Sequence, residues 1–138
     1  MSNELTHRVV VVDDSEIQCF IWKQWLERRF GGRVSVEIYF DPTIAVETLA
    51  PNIDLLLLDW EMPVLDGEAL LREAVRRGVD VKRVIITSSH PADQLHEVFD
   101  STGCLAVIEK EPEQLAACAM ILDELMKPPR RSPGIQPN

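Results

Sequence analysis

Short runs rich in β-branched residues or leucine alternate along this chain with longer stretches of helical period. The runs at 9–12, 34–39, 55–58, 84–87 and 105–108 are each bounded by turn or polar residues, as buried strands of a parallel sheet are. Between and after them lie stretches with helical spacing of apolar residues, at 16–29, 43–49, 67–77, 92–99 and 113–126. Five strand–helix units in series predict an α/β fold with a parallel sheet covered by helices on both faces.

Right-handed crossovers and the lack of a long insertion select a doubly wound, flavodoxin-like (βα)5 sheet with strand order 2-1-3-4-5. Local punctuation agrees with that plan. Asp41-Pro42 and His90-Pro91 place a proline near a helix start, Ser15 is placed to cap the first helix, and Gly78 and Gly103 follow helices. The ordered domain is expected over residues 6–127. The remainder, 128–138, belongs to a stretch holding four of the nine prolines and no apolar periodicity, and reads as a tail or linker.

Composition narrows the function classes. At 138 residues and 46% hydrophobic content, the chain can bury one sizeable core. A net charge of −9 argues against direct nucleic-acid binding, which needs a basic footprint. Cys19, Cys104 and Cys118 lack CxxC spacing and fall in apolar segments, as reduced thiols of a cytoplasmic protein would. No apolar run approaches the roughly 20 residues needed to span a bilayer, so no membrane association is expected.

Two of the runs end on acids. LLLL ends on Asp59, and VVVV ends on Asp13 and Asp14. An Asp after one strand serves equally as a cap or a turn residue. Acids after two central strands, however, converge on the carboxyl edge of the sheet, where open α/β sheets bind ligands. Three like charges in one crevice call for a cation, and hard oxygen donors without His favour Mg²⁺, Mn²⁺ or Ca²⁺. Thr87 ends the fourth run and Lys110 follows the fifth, placing a hydroxyl and an ammonium at the same edge to hold an anion.

The acidic pair Asp13-Asp14, the segment DWEMPVLDG from Asp59, and Thr87 and Lys110 stand in the order and spacing of response regulator receiver domains. The chain resembles that family, of the chemotaxis-regulator type, from about residue 6 to residue 127. The resemblance implies a phosphoacceptor domain of a two-component or phosphorelay system, with Asp59 as the acceptor. It implies Mg²⁺, or Mn²⁺, held by Asp14, Asp59 and the backbone carbonyl of Glu61, with Asp13 assisting through water. Thr87 is implied to bind a phosphoryl oxygen, and Lys110 to pair with the phosphoryl group and Asp59. No separate general base is expected, since a carboxylate is ionised near neutral pH.

The implied donor is a sensor histidine kinase or a histidine phosphotransfer protein. The implied receiver of the signal is a downstream protein target, an effector domain missing from this chain, or a second copy in a dimer. The domain is thus expected to be no enzyme beyond its self-catalysed aspartyl phosphorylation and dephosphorylation. Two alternatives are a pseudo-receiver serving only as an interaction module and a Mg²⁺-dependent phosphohydrolase with an aspartyl phosphate intermediate. The second usually shows a DxD pattern and a cap insertion, and neither occurs here.

Three positions depart from the family pattern. Val107 stands where receivers carry Tyr or Phe, removing the aromatic rotamer switch. Lys110 is followed by Glu111 and only then by Pro112, so a trans or rebuilt loop is expected there. Glu61 and Ser89 occupy positions that tune dephosphorylation in the family, and Glu61 is placed either to repel water or to reach the metal. In the first helix, Ile17, Phe20, Ile21 and Trp25 form an apolar face expected to pack on the sheet. Cys19, Trp22, Leu26 and Phe30 form a second, nearly opposite stripe, which reads as a docking surface or as a face covered by neighbouring segments.

Overall fold

Backbone pairing joins the five apolar runs into one parallel sheet of order β2-β1-β3-β4-β5. The strands are β1 His7–Val12, β2 Val34–Tyr39, β3 Leu55–Asp59, β4 Val84–Ser88 and β5 Ala106–Glu109. The helices are α1 Glu16–Phe30, α2 Pro42–Ala45, α3 Gly67–Arg76, α4 Ala92–Thr102 and α5 Pro112–Leu125. The computed structural model describes residues 6–89, 92–110 and 112–127. The expected turn at His90-Pro91, the Glu111 linkage and the tail 128–138 lie outside the described residues.

The doubly wound, flavodoxin-like order expected from the sequence is the one observed. Its cause is visible in the alternation of side chains along the central strands. Val10, Val12, Leu56, Leu58 and Ile86 face one core with Ala45 of α2 and Leu70, Leu71 and Ala74 of α3. Val9, Val11, Leu55, Leu57 and Ile85 face the other with residues of α1 and α5. Strands that bury both faces must be apolar at every position, which is why they appear as unbroken runs. At the amino edge, Arg8 forms a bidentate pair with Glu37, at 2.8 and 3.0 Å, tying β1 to β2.

Element ends follow capping chemistry. The Ser15 hydroxyl accepts from Gln18 N at 3.2 Å, and the Asp66 carboxylate accepts from Ala69 N at 2.9 Å, closing the starts of α1 and α3. Pro42 begins α2, as expected, but the helix expected over 43–49 is shorter and continues as a 3₁₀ turn over Val46–Thr48. Gly78 and Gly103, at φ 99 and 70, take the left-handed conformation that ends a helix. All three cysteines are free and buried.

One expectation is reversed. Cys19, Trp22, Leu26 and Phe30 pack on the sheet, whereas Ile17, Phe20 and Ile21 are exposed, at 73%, 53% and 42%. The stripe that reads either as a docking surface or as a covered face is core, and most of the face assigned to the sheet looks outward. Trp25 alone of that face is partly buried against the core. The physical reason is continuity. The stripe from Cys19 to Phe30 carries only apolar residues for three turns, while Gln24 and Arg28 interrupt the other face. A helix lying along a sheet buries the uninterrupted side. Arg29 reinforces this orientation by pairing with Asp123 of α5 through bonds of 2.9 and 2.8 Å.

The reversal sets an expected contrast. Leu26→Ala removes a fully buried side chain and should cost about 2–5 kcal/mol in urea unfolding. Ile17→Ala, on the solvent side of the same helix, should change stability by no more than about 0.5 kcal/mol.

Candidate functional site

The parallel register sets the site. Val12 lies opposite Leu58 and Asp59 lies opposite Thr87, so the residues leaving β1, β3 and β4 emerge together at the carboxyl edge. Carboxylate oxygens of Asp13, Asp14 and Asp59 come within 4.8 Å of one another. Asp13 and Asp59 are each 1% exposed, whereas Asp14 faces solvent. Lys110 extends from the end of β5 past β4. Its Nζ lies 2.9 Å from Asp59 Oδ1 and 3.4 Å from Asp13 Oδ2.

Backbone groups fix each acid. Asp13 N donates to Tyr39 O at 3.1 Å, and Asp13 Oδ1 accepts from Ser15 N at 2.9 Å. Asp59 Oδ1 also accepts from Glu61 N at 3.1 Å. Trp60 N donates to Thr87 O and Lys110 N to Ser88 O, both at 2.9 Å, which locks the loop after β3 and the base of Lys110 onto β4. Thr87 is 3% exposed at the floor of the crevice.

Three carboxylates face one ammonium, and the balance is negative. Burial, and then the charge of Asp13, push the Asp59 carboxyl up to about 7, against the lowering effect of Lys110. Burial in the crevice disfavours the charged form, so without a cation the Asp59 carboxyl stands above the ordinary carboxylate range. Burial also acts to lower Lys110, but its hydrogen bond to Asp59 and the charges of Asp13 and Asp59 outweigh it and leave the ammonium above its usual range.

The donor set fits a hard divalent cation. Asp59 Oδ2 is buried and has no hydrogen-bond partner among the described residues, and Asp13 Oδ2, equally buried, meets only the Lys110 ammonium at 3.4 Å. Buried carboxylate oxygens in that state are costly unless a cation meets them. The one thiol nearby is no ligand, since Cys19 Sγ donates to Asp13 O at 3.2 Å. Burial and the Asp13 charge push that thiol up to about 12.

Asp13, Asp14, Asp59, Thr87 and Lys110 are thus brought to one edge, in the places their positions in the sequence led us to expect. Glu61 departs from one alternative, because its side chain turns to Ser88 and Ser89 and is not in the group of three acids. Two contributors were missed. A Cβ on Gly67 would lie 2.6 Å from Trp60 Cα and 2.7 Å from Asp59 O, so only glycine lets α3 approach the strand end. Its signal is the glycine that closes the DWEMPVLDG segment, which marks the family resemblance and a helix start but carries no packing role in the sequence alone. Ser88, fully buried, has no marking in the sequence beyond the run of hydroxyls from Thr87 to Ser89.

A model of the response regulator receiver domain matches residues 9–121. The two-component response regulator ORR41 of Oryza sativa subsp. japonica is 34% identical over 90 residues, covering 62% of this chain and 70% of that protein. Of three longer curated relatives that it matches, the chain spans between 18% and 28% of the length. The non-phosphorylated HemR receiver domain from Leptospira biflexa superimposes with a TM-score of 0.73 at 22% identity, covering 92% of this chain and 99% of that one. The receiver domain of the sensor histidine kinase PA1611 from Pseudomonas aeruginosa, with a magnesium ion coordinated in its active site cleft, gives a TM-score of 0.70. It is 22% identical and covers 88% of this chain and 98% of that one. The two structures share the fold.

The raised Asp59 carboxyl carries a signed prediction for the metal-free protein. Below about pH 4 the group is protonated in both folded and unfolded chains and contributes nothing. As the pH rises from there through about 7, the unfolded chain ionises first, and the folded state loses stability. Asp59→Asn should therefore stabilise the protein at pH 8 by on the order of 1–3 kcal/mol. The gain should shrink toward zero near the acid end, as read by urea unfolding in the presence of chelator.

Proposed function

We propose, for a chain that belongs to the response regulator receiver domain family, that Asp59 accepts a phosphoryl group from a phosphohistidine on a partner protein. The observation that carries this reading is the buried pair of carboxylates sharing Lys110, with Asp59 Oδ2 left without a protein donor among the described residues. Such a site is built for charge to arrive as a cation and an anion together.

In the proposed step, a carboxylate oxygen of Asp59 forms a bond to phosphorus while the histidine nitrogen–phosphorus bond breaks. The nitrogen keeps the electron pair. Lys110 neutralises charge on the transferring group and stays paired with Asp59, and Thr87 donates to a phosphoryl oxygen. Asp13, Asp14, Asp59 and the carbonyl of Glu61 would hold Mg²⁺ or Mn²⁺, which supplies electrostatic stabilisation and draws Asp59 toward its ionised form. The protein supplies position and charge and needs no additional base. In this reading the domain is a signalling switch and not an enzyme acting on a separate substrate. The interaction-module alternative leaves the three acids and Lys110 without a purpose, and the cost of burying Asp13 and Asp59 favours the phosphoacceptor.

The outward face of α1 fits the docking of the donor. Ile17, Phe20 and Ile21 begin three residues after the exposed Asp14, and the Phe20 ring contacts that of Phe40 with centroids 6.0 Å apart. An apolar patch beside the acidic crevice would let a partner seat its own helix while presenting its phosphohistidine to Asp59. Whether the phosphorylated state then acts on a downstream protein, on an effector domain or through dimerisation belongs to surfaces beyond this edge.

Acetyl phosphate treatment followed by intact mass measurement tests the chemistry. Wild type should gain one phosphoryl group only with Mg²⁺ or Mn²⁺ present, and Asp59→Asn should gain none; a wild type that stays unlabelled overturns the reading. Phe20→Asp should label normally with acetyl phosphate yet accept phosphoryl from a phosphorylated histidine-kinase dimerisation domain about 10-fold more slowly or worse. Equal transfer by both proteins would remove α1 from the docking surface.

A further inference from the structure

Glu61 lies two residues beyond Asp59, on the loop between β3 and α3, and Ser88 and Ser89 follow Thr87 toward α4. Because Asp59 and Thr87 are register partners, these two segments leave the sheet side by side. The Glu61 carboxylate bridges them. Ser88 Oγ donates to its Oε2, while Ser89 N and Ser89 Oγ donate to its Oε1 at 3.0 and 3.2 Å. Three donors of one segment thus converge on a single acid of the other. Through its own N–H, the same residue holds Asp59 Oδ1 at 3.1 Å, so bridge and acceptor are neighbours on one short stretch of backbone.

We propose that Glu61 is a positioning residue that latches the segment after β4 onto the loop after β3 in the unmodified protein, and that phosphorylation of Asp59 releases the latch. Two effects act in the same direction. A phosphoryl group adds about 1.5 to 2 negative charges close to the Glu61 carboxylate, and repulsion weakens the bridge. Its oxygens also seek the class of donors that Glu61 holds, and Thr87 leads directly into Ser88 and Ser89. With Val107 at the position on β5, no aromatic ring is there to report the change, and release of the latch gives this chain a local way to move the start of α4. The inference rests on Asp59 being the phosphoacceptor.

The direct readout is the backbone amide of Ser89, whose hydrogen bond to Glu61 the latch maintains. In the full chain with Mg²⁺, amide exchange at Ser89 would be followed by NMR, with and without beryllofluoride as a stand-in for the phosphoryl group. The wild-type amide should exchange about 10-fold faster or more once beryllofluoride binds. Glu61→Ala should exchange fast from the start and respond no further. Glu61→Gln keeps an acceptor oxygen without the charge, so its Ser89 amide should stay protected and respond less than wild type, a difference a purely structural contact would not produce. Thermal melting of each variant shows that the fold is retained. A Thr87 amide that shifts on beryllofluoride binding while wild-type Ser89 protection is unchanged overturns the latch and leaves the phosphoacceptor reading standing. No response at Thr87, with no labelling of Asp59 by acetyl phosphate, overturns both.

Discussion

Lys110 stands between Asp59 and Asp13 at 2.9 and 3.4 Å, an ammonium in contact with two carboxylates that are almost entirely buried. The side chain starts beyond β5 and reaches acids that follow β1 and β3, so a single cation ties together strands that are not all neighbours in the sheet. Its attraction does not balance the site. Burial and mutual repulsion still hold Asp59 up to about 7, and its Oδ2 lacks a donor among the described residues. An edge left short of positive charge in this way is unfavourable for the isolated fold and suited to admitting a cation and a phosphoryl group together.

The surrounding backbone makes that imbalance tolerable. Strands with apolar residues on both faces pack into two cores, and the rigid sheet carries the acids to fixed places at its edge. Gly67 lets α3 sit directly against the Asp59–Trp60 peptide, and hydrogen bonds from Trp60 N and Lys110 N lash both flanking loops to β4. Glu61 takes part in both layers of this organisation. Its N–H steadies Asp59 and its carboxylate spans to Ser88 and Ser89, so charge arriving at one residue is felt by a neighbouring segment.

α1 shows how a helix with apolar residues on two sides divides its work. The stripe through Cys19, Trp22, Leu26 and Phe30 closes the core over β1 and β3, while Ile17, Phe20 and Ile21 remain at the surface beside the acidic edge. Large apolar side chains in that place stay largely exposed in the isolated domain, apart from the contact of Phe20 with Phe40. Their position next to Asp14 suits recognition, and the continuous inner stripe anchors the helix against the force of docking.

Apolar runs, and in the second strand Val34, Val36 and Ile38 alternating with Ser35 and Glu37, made the five strands legible in the sequence, and acids, a hydroxyl and a lysine at strand ends made the edge chemistry legible with them. Both follow from local constraints: a strand buried on two faces must be apolar throughout, and a residue at its end must emerge at the sheet edge. The side of α1 that meets the sheet was read in reverse, although the interruptions at Gln24 and Arg28 held the information. Tertiary structure alone decided the rest. The rise of Asp59 depends on how deeply the crevice closes and on how near Asp13 comes, and the direction of Glu61 depends on serines 27 and 28 residues away in sequence. Periodicity reports which residues must be buried, whereas desolvation and long-range hydrogen bonding depend on which segments become neighbours once the chain has folded.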